Sequence, residues 1–427
     1  MKIKELAKKI TELIPNEEAQ KFFEPCFLST WETTTEKIED YKYFVITGDI
    51  PALWLRDSSA QVQHLLAFAP YSDEVKELIK GLSKTQVECI LIDPYANAFN
   101  KTDSGAGHHT DITEMHPRLW ERKYEIDSLC YPIRLAYQYW KVTNDSSIFT
   151  PDFKVAINNI IDLWTVEQRH ENSPYTFERV DRIEEAGVLP NNGKGNPVAY
   201  TGMTWSGFRP SDDMCVYGYL VPSNMFAKVS LEQIAKIAEL VYEDLELKER
   251  ALNLKAEIEK GLAEFAVVDY KDLGSIYAYE VDGMGNHLFL DDANVPSLLS
   301  LPYLGAVAAD DPIYLNTREF ILSPENRTYY SGKYAAGIGS DHTPEDYVWH
   351  IALSMQGLTS VDENERKEIL ETIMNTDAGT YQMHEGFNVN NPEEFTRPWF
   401  AWSNSLFAEY LIDYFNLVEQ FEKSLKN

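Results

Sequence analysis

The sequence predicts an all-α fold, an (α/α)6 barrel or toroid with long loops and a small β-hairpin at the face that would carry a site. Three observations predict it. Apolar residues recur at three- and four-residue spacing in roughly a dozen segments, the mark of helices that bury one face. Strand-like alternation is scarce. The stretches between helices, 43–57, 93–125, 189–212, 325–344 and 376–399, are long and rich in Trp, Tyr, Asp, Asn and Gly. Loops beyond about 15 residues inside a compact domain are usually functional, and such loops gathered at one end of a helical body form a cup.

Taken in order, Ile3, Leu6, Ile10 and Leu13 share a helical face, and Pro15 stops that helix. The same period returns over 58–69, 73–92, 126–142, 152–168, 213–242, 245–265, 312–322, 345–357, 361–375 and 400–424. The best alternation is Ile276 to Val281, followed by Asp282-Gly283 and then His287 to Leu290, which reads as a hairpin turning at Asp-Gly. No Ser-, Pro- or Gly-rich linker interrupts the chain, so residues 1–427 are expected to form a single domain. The absence of a fixed repeat argues against a simple solenoid.

Charge narrows the function. The 427 residues carry 38 Lys and Arg against 68 Asp and Glu, a formal net charge of −30. Nucleic acids and anionic membranes need a basic footprint, which no run supplies, so neither is expected as a partner. Cys26, Cys89, Cys130 and Cys215 lie far apart, without zinc-ligand spacing. The first residues contain no apolar stretch of about 7–15 residues of the secretory kind. Nor does any run reach about 18 apolar residues. Cytoplasmic residence is the expectation.

Several chemistries lack their motifs. Each G-x-G, such as Gly105-Ala106-Gly107 or Gly337-Ile338-Gly339, lacks the third glycine and the preceding strand of a dinucleotide site. There is no GxxxxGK[ST] and no G-x-S-x-G. His108, His109 and His116 with Asp103, Asp111 and Glu114 follow no recognised ligand spacing, and His384-Glu385 lacks the second histidine of H-E-x-x-H because position 388 is Asn. No metal and no cofactor are expected.

Three segments remain. Thr47 to Ser59 contains Trp54, Arg56 and Asp57, with Ser58 a plausible helix N-cap; an Arg-Asp pair grips vicinal hydroxyls while an indole stacks on a sugar ring. Thr204 to Asp213 ends in paired acids, Asp212 and Asp213, at an expected helix start. Adjacent carboxylates raise one another's pKa, as a general acid requires, although acids at a helix start also serve the dipole. Met383-His384-Glu385 precedes amides, Arg397, Trp399 and Trp402. A glutamate facing the first acid across a cup completes the pair that glycoside hydrolysis uses.

TGDIPALWLRDSSAQ, WERKYEIDSLCYP, TWSGFRPSDD, LDDANVPSLL, GIGSDHT and MHEGFN, in this order, resemble glycoside hydrolase family 125, bacterial and fungal exo-acting α-1,6-mannosidases on an (α/α)6 barrel. The resemblance spans residues 20 to 415. It implies inverting, metal-independent release of terminal mannose from α-1,6-linked manno-oligosaccharides or N-glycan fragments. By position it implies Asp212 as general acid, Glu385 as general base, and Arg56 and Asp57 at the terminal-sugar subsite. Motif membership adds Trp54, Arg209, Asp213, Asn294, His342 and Trp399 as substrate-binding residues. An inverting pair is expected roughly 6.5–9.5 Å apart, against about 5–5.5 Å for a retaining one. The rival readings are an (α/α)6 glycosidase of other specificity, such as an α-glucosidase, a non-catalytic glycan-binding protein, or an isomerase with a histidine pair at the sugar.

Overall fold

The computed structural model describes residues 1–39, 41–180 and 188–426. Among them lie the helices α1 (Ile3–Thr11), α2 (Glu17–Ser29), α3 (Leu55–Ala60), α4 (Asp73–Ile92), α5 (Ile126–Thr143), α6 (Pro151–Glu167), the single turn α7 (Pro190–Gly193), α8 (Val221–Leu240), α9 (Leu245–Gly261), α10 (Pro312–Ile321), α11 (His350–Thr359), α12 (Glu363–Met374), α13 (Ala401–Tyr414) and α14 (Leu417–Ser424). Short strands of two to five residues join them in small antiparallel sheets.

The helices form two concentric layers. The inner one contains α3 with its 3-10 continuation Gln63–Tyr71, then α5, α8, α11 and α13; α3 packs on α5, α5 on α8, α11 on α13, and α13 returns to α3 and Gln63–Tyr71. Outside them, α2 covers α13, α4 covers α5, α9 covers α8 and α12 covers α11. The sequence explains the division. In α11 and α13 apolar and small residues occupy every face, and nearly the whole of each helix is buried, as an element enclosed on all sides requires. One large apolar core runs from Ile3 to Phe421 through both layers.

Between α8 and α11 the inner layer has no helix. Residues 291–304 fill the place with successive tight turns, and the buried Asp291 carboxylate accepts the Leu298 and Leu299 N–H groups at 2.8 and 2.9 Å. A buried irregular segment has to satisfy its backbone in some such way.

Helix capping sets the inner helices apart from six of the others. Each of α2, α4, α6, α9, α10 and α12 begins with an Asn, Ser, Thr or Asp whose side chain accepts a first-turn N–H: Asn16, Ser72, Thr150, Asp244, Asp311 and Asp362. The inner helices α3, α5, α8, α11 and α13 follow Trp54, Glu125, Leu220, Trp349 and Phe400, none with a side-chain cap. Their first-turn amides and positive dipole ends converge on one end of the ring, where the long loops lie.

The structure corrects several local expectations. Ser58 is no N-cap: α3 starts at Leu55, placing Arg56 and Asp57 inside its first turn. The helix expected from residue 213 starts at Val221, so Asp212 and Asp213 belong to a loop. Residues 17–29, not assigned by periodicity, form α2, and the last helical segment breaks at Asn416, whose φ is 51°. The hairpin at Asp282-Gly283 pairs Glu280–Val281 with His287–Leu288, whereas Ile276 and Tyr277 pair with Val268 and Val267.

The capping division makes a stability prediction. Thr150 Oγ1 accepts the Phe153 N–H at 3.2 Å, in the cleft beside α4 and not on the cavity that gathers the predicted site residues. Thr150→Ala should lower unfolding free energy by about 1 kcal/mol in urea titration while leaving turnover unchanged.

Candidate active site

At the uncapped end, Trp54, Arg56, Asp57, Asp212, Asn294, His342 and Glu385 line one cavity together with Thr47, Ile50, Pro210, Ser211, Trp349, Arg397 and Phe400. Sequence-predicted residues from five separate segments thus meet at one place. Wider clefts lie around Gln138, Glu409 and Asn416 at the opposite end of the ring and beside α4, but neither gathers these groups.

The deep wall is built on Arg56. Its Nη1 donates to Asp57 at 2.6 Å, its Nε to Asp127 at 3.1 Å, and its Nη2 to Glu125 at 3.2 Å. All four side chains are buried. Burial lifts the Asp57 carboxyl above the ordinary aspartate range, although Arg56 and Arg397 pull it down. Trp54, paired with Ala98 across a short strand ladder, joins Ala52, Ile50 and Trp120 in a small apolar patch beside this wall.

Asp212 sits at the tip of an irregular hairpin over residues 206–218. Ser206 N–H bonds to Gly218 O (2.8 Å), Cys215 N–H to Gly207 O (2.9 Å), and Asp212 N–H closes a turn on Arg209 O (2.9 Å). The turn requires φ +69° at Asp212, a left-handed conformation that Asp tolerates better than most residues. Trp205 anchors the base, stacked on His170 with centroids 3.5 Å apart, and Gly218 is obligatory there because a Cβ would lie 2.5 Å from the indole Nε1. Lys123 Nζ donates to the Asp212 carbonyl at 2.7 Å, and Asn97 Nδ2 reaches its Oδ1 at 3.4 Å. Burial opposes ionisation of Asp212, but Lys123, Arg56 and His342 outweigh it and hold the carboxyl below its usual value.

Glu385 comes from the opposite side of the chain order. Its backbone is pinned by α11 and α13: Met383 N–H bonds to Asn404 Oδ1 (2.9 Å), His384 N–H to His350 Nδ1 (3.0 Å), and Ser403 Oγ to His384 O (2.8 Å). Arg397, at φ +42°, grips Asp49 with Nε and Nη2 and extends Nη1 to within 3.4 Å of Glu385 Oε1. Asn294 is fixed by Asp292, which accepts its backbone N–H at 3.0 Å and a Ser340 hydroxyl at 2.6 Å.

Three predicted residues lie off the cavity wall. Arg209 is buried behind it, paired with Glu280 at 2.6 Å; Glu280 also accepts the Val216 and Tyr217 N–H groups, so the pair braces the Asp212 hairpin. Asp213 faces His342 and accepts from Ser211 Oγ at 3.2 Å. Trp399 is exposed, its indole N–H on Thr33 Oγ1 at 3.0 Å. The histidines weighed as ligands have other partners. His109 Nε2 meets Leu119 O, His116 Nδ1 accepts the Arg118 N–H, and His384 stacks on Phe395. Among the described residues no group of three or more His, Cys, Asp or Glu is arranged to hold a metal ion. Residue-type patterns missed Asn97, Lys123 and Glu125. Lys123 and Glu125 lie in the WERKYEIDS segment, and their alternation toward the site was the available signal.

Two carboxyl groups from separate loops, aromatic walls and a set of charged hydroxyl-reading groups, on the loop face of two nested helical layers, define a glycoside hydrolase of the (α/α)6 type. Comparison with known proteins agrees. The family described as metal-independent alpha-mannosidase (GH125) matches residues 16–412. The Meiotically up-regulated gene 157 protein of Schizosaccharomyces pombe is 38% identical over 95% of this chain and 84% of its own length. A Streptococcus pneumoniae structure of a metal-independent α-mannosidase, in a non-productive complex with α-1,6-mannobiose, is 46% identical with a TM-score of 0.94, covering 96% of this chain and 97% of that one. A bacterial glucoamylase complexed with acarbose shares the fold alone, with a TM-score of 0.61 at 12% identity over 96% of this chain and 57% of that one. The chain belongs to glycoside hydrolase family 125, the metal-independent α-mannosidases. Membership sets aside the α-glucosidase and glycan-binding readings.

His342 gives this site a pH signature. The Asp213 carboxylate, 3.8 Å from its Nδ1, raises it from 6.5 to about 9. A histidine raised on folding contributes stability that is fully present below about pH 6.5 and disappears as pH rises to about 9. In urea titrations the wild type should lose its advantage over His342→Gln across that window. A difference that stays constant through it would contradict the ion pair.

Proposed function

We propose that this chain is an exo-acting α-1,6-mannosidase that hydrolyses terminal mannose from manno-oligosaccharides or N-glycan fragments with inversion. The observation that carries the reading is the placement of Asp212 and Glu385 on one cavity whose inner wall is the buried Arg56–Asp57 pair and whose outer edge includes the exposed His342. Such a cavity admits one chain end. The likeness to a protein crystallised with α-1,6-mannobiose supports the linkage.

The chemistry follows from the two loops. Asp212, protonated, donates to the glycosidic oxygen as the bond to the anomeric carbon breaks. Glu385, ionised, takes a proton from water attacking the opposite face, and the configuration inverts. Arg397 holds that carboxylate while itself anchored by Asp49. Arg56 and Asp57 offer a donor and an acceptor to neighbouring hydroxyls, and Trp54 offers an apolar face. The charge of −30 neither steers nor repels a neutral glycan. We place the enzyme in the cytoplasm, acting on imported oligosaccharides; activity confined to culture supernatant would overturn that placement.

The test is rate on α-1,2-, α-1,3- and α-1,6-mannobiose with purified wild type and variants. Wild type should cleave the α-1,6 isomer fastest, and Asp212→Asn and Glu385→Gln should each lose about 10²- to 10⁴-fold or more. Asp213→Asn should lose less. Equal rates on the three isomers would overturn the linkage, and a larger loss in Asp213→Asn than in Asp212→Asn would exchange their roles.

A further inference from the structure

At the deep wall of the cavity, the carboxyl groups of Asp57, Glu125, Asp127 and Asp212 surround Arg56 and Lys123, with Arg397 acting on Asp57 from the cavity side. Arg56 reaches Asp57, Glu125 and Asp127, while Lys123 contacts the Asp212 carbonyl at 2.7 Å and Glu121 at 3.9 Å. Arg179 brings no relief, because Asp111 and Glu121 already take it. His342 adds charge only from the exposed edge. Arg397 acts on Asp57 and His342 on Asp212 only from the cavity side, so Glu125 and Asp127 share Arg56 alone; crowded carboxyl groups in a low-dielectric interior lower their energy by holding a proton.

The contacts indicate which carboxyl holds it. Asp57 takes the shortest Arg56 contact, at 2.6 Å, and Asp127 takes Nε at 3.1 Å with the Ser223 hydroxyl at 3.4 Å. Glu125 receives the longest ones, 3.2 and 3.4 Å from Nη2, with Ser128 Oγ at 2.9 Å. One Asn97 amide nitrogen bridges it to Asp212, 3.3 Å from Glu125 Oε1 and 3.4 Å from Asp212 Oδ1. Burial drives Glu125 well above the ordinary glutamate range, and lifts Asp127 to about 6, whereas Asp212 is held low. Two carboxyl groups pushed apart in this way divide the roles of proton holder and acceptor.

We propose that Glu125 is a positioning residue that stores the proton of the general acid: the resting Glu125–Asp212 pair carries one proton, held on Glu125, and substrate binding transfers it to Asp212. The inference rests on the reading of Asp212 as acid. The proton leaves the Glu125 carboxyl and joins the Asp212 carboxylate, leaving an ionised Glu125 that Arg56, Ser128 and Asn97 stabilise. Asp212 then passes it to the glycosidic oxygen as the carbon–oxygen bond breaks, and the water that attacks gives its proton to Glu385. Solvent restores one proton to the pair and removes the one on Glu385. An Asp212 held below its usual value by Lys123, Arg56, His342 and Glu125 needs a proton delivered to it before it can act as an acid.

The test compares α-1,6-mannobiose with 2,4-dinitrophenyl α-mannoside, whose leaving group departs with little protonation. Glu125→Gln keeps the shape but removes the stored proton. Its kcat on mannobiose should fall by about 10²-fold or more while the aryl substrate loses less than about threefold, and the basic limb of the pH profile should move down. Ser128→Ala, which removes a donor to ionised Glu125 and keeps both carboxyls, should move that limb up. Equal losses on both substrates in Glu125→Gln, or a basic limb that neither variant moves, would overturn the proposal. Asp212→Asn, run alongside, should show the same sparing of the aryl substrate. If it does not, the acid assignment fails independently of Glu125.

Discussion

One buried guanidinium organises the working end of this protein. Arg56 links the first turn of α3 to Asp127 in the first turn of α5 and to Glu125 just before it, tying two adjacent inner helices at the point where their amide dipoles converge. A guanidinium can do this because its donors lie in a rigid plane and it stays charged when buried, properties a lysine lacks. Removing it would strand three carboxyl groups, and breaking a buried pair by deleting one partner costs on the order of 3–5 kcal/mol. The same arrangement that secures the helices therefore fixes the electrostatic setting of the cavity.

The capping pattern shows how sequence separates scaffold from site. Six helices outside the inner ring, α2, α4, α6, α9, α10 and α12, use their own Asn, Ser, Thr or Asp to satisfy first-turn amides and are closed units at that end. Inner helices begin at aromatic, aliphatic or glutamate residues, so their amide ends remain a field directed at the loops. Carboxyl groups collect where that field favours them. Asp57 and Asp127 sit in first turns, and Asp212 and Glu385 approach from loops whose backbones are held by Trp205, Gly218, His350 and Asn404.

Much of this was legible in the sequence, and what was not has physical causes. Periodicity located the long amphipathic helices such as α4 and α9, because a single buried stripe repeats at the helical period. It missed α2, where apolar residues are interrupted by Pro25, and it extended α8 back to residue 213, because nothing local distinguishes the braced hairpin from a helix start. Ser58 looked like a cap because its residue type suits one, but α3 was already under way. Trp54, Arg56, Asp57, Asp212 and Glu385, grouped in contiguous motifs, are residues that the structure gathers on one cavity. Arg209 and Glu125 were misjudged or overlooked because their partners, Glu280 and Asp212, lie 71 and about 87 residues away in the chain, where pattern carries no information.

The two carboxyl groups reach the cavity from loops on opposite parts of the ring, each held by contacts that leave the other free. That separation of supports suits a glycoside hydrolysis in which two carboxyl groups flank the scissile bond. The most direct test follows the anomeric proton of mannose released from α-1,6-mannobiose by NMR, before mutarotation, in the presence of EDTA. The account predicts that β-mannose appears first and at an undiminished rate; α-mannose appearing first would contradict it.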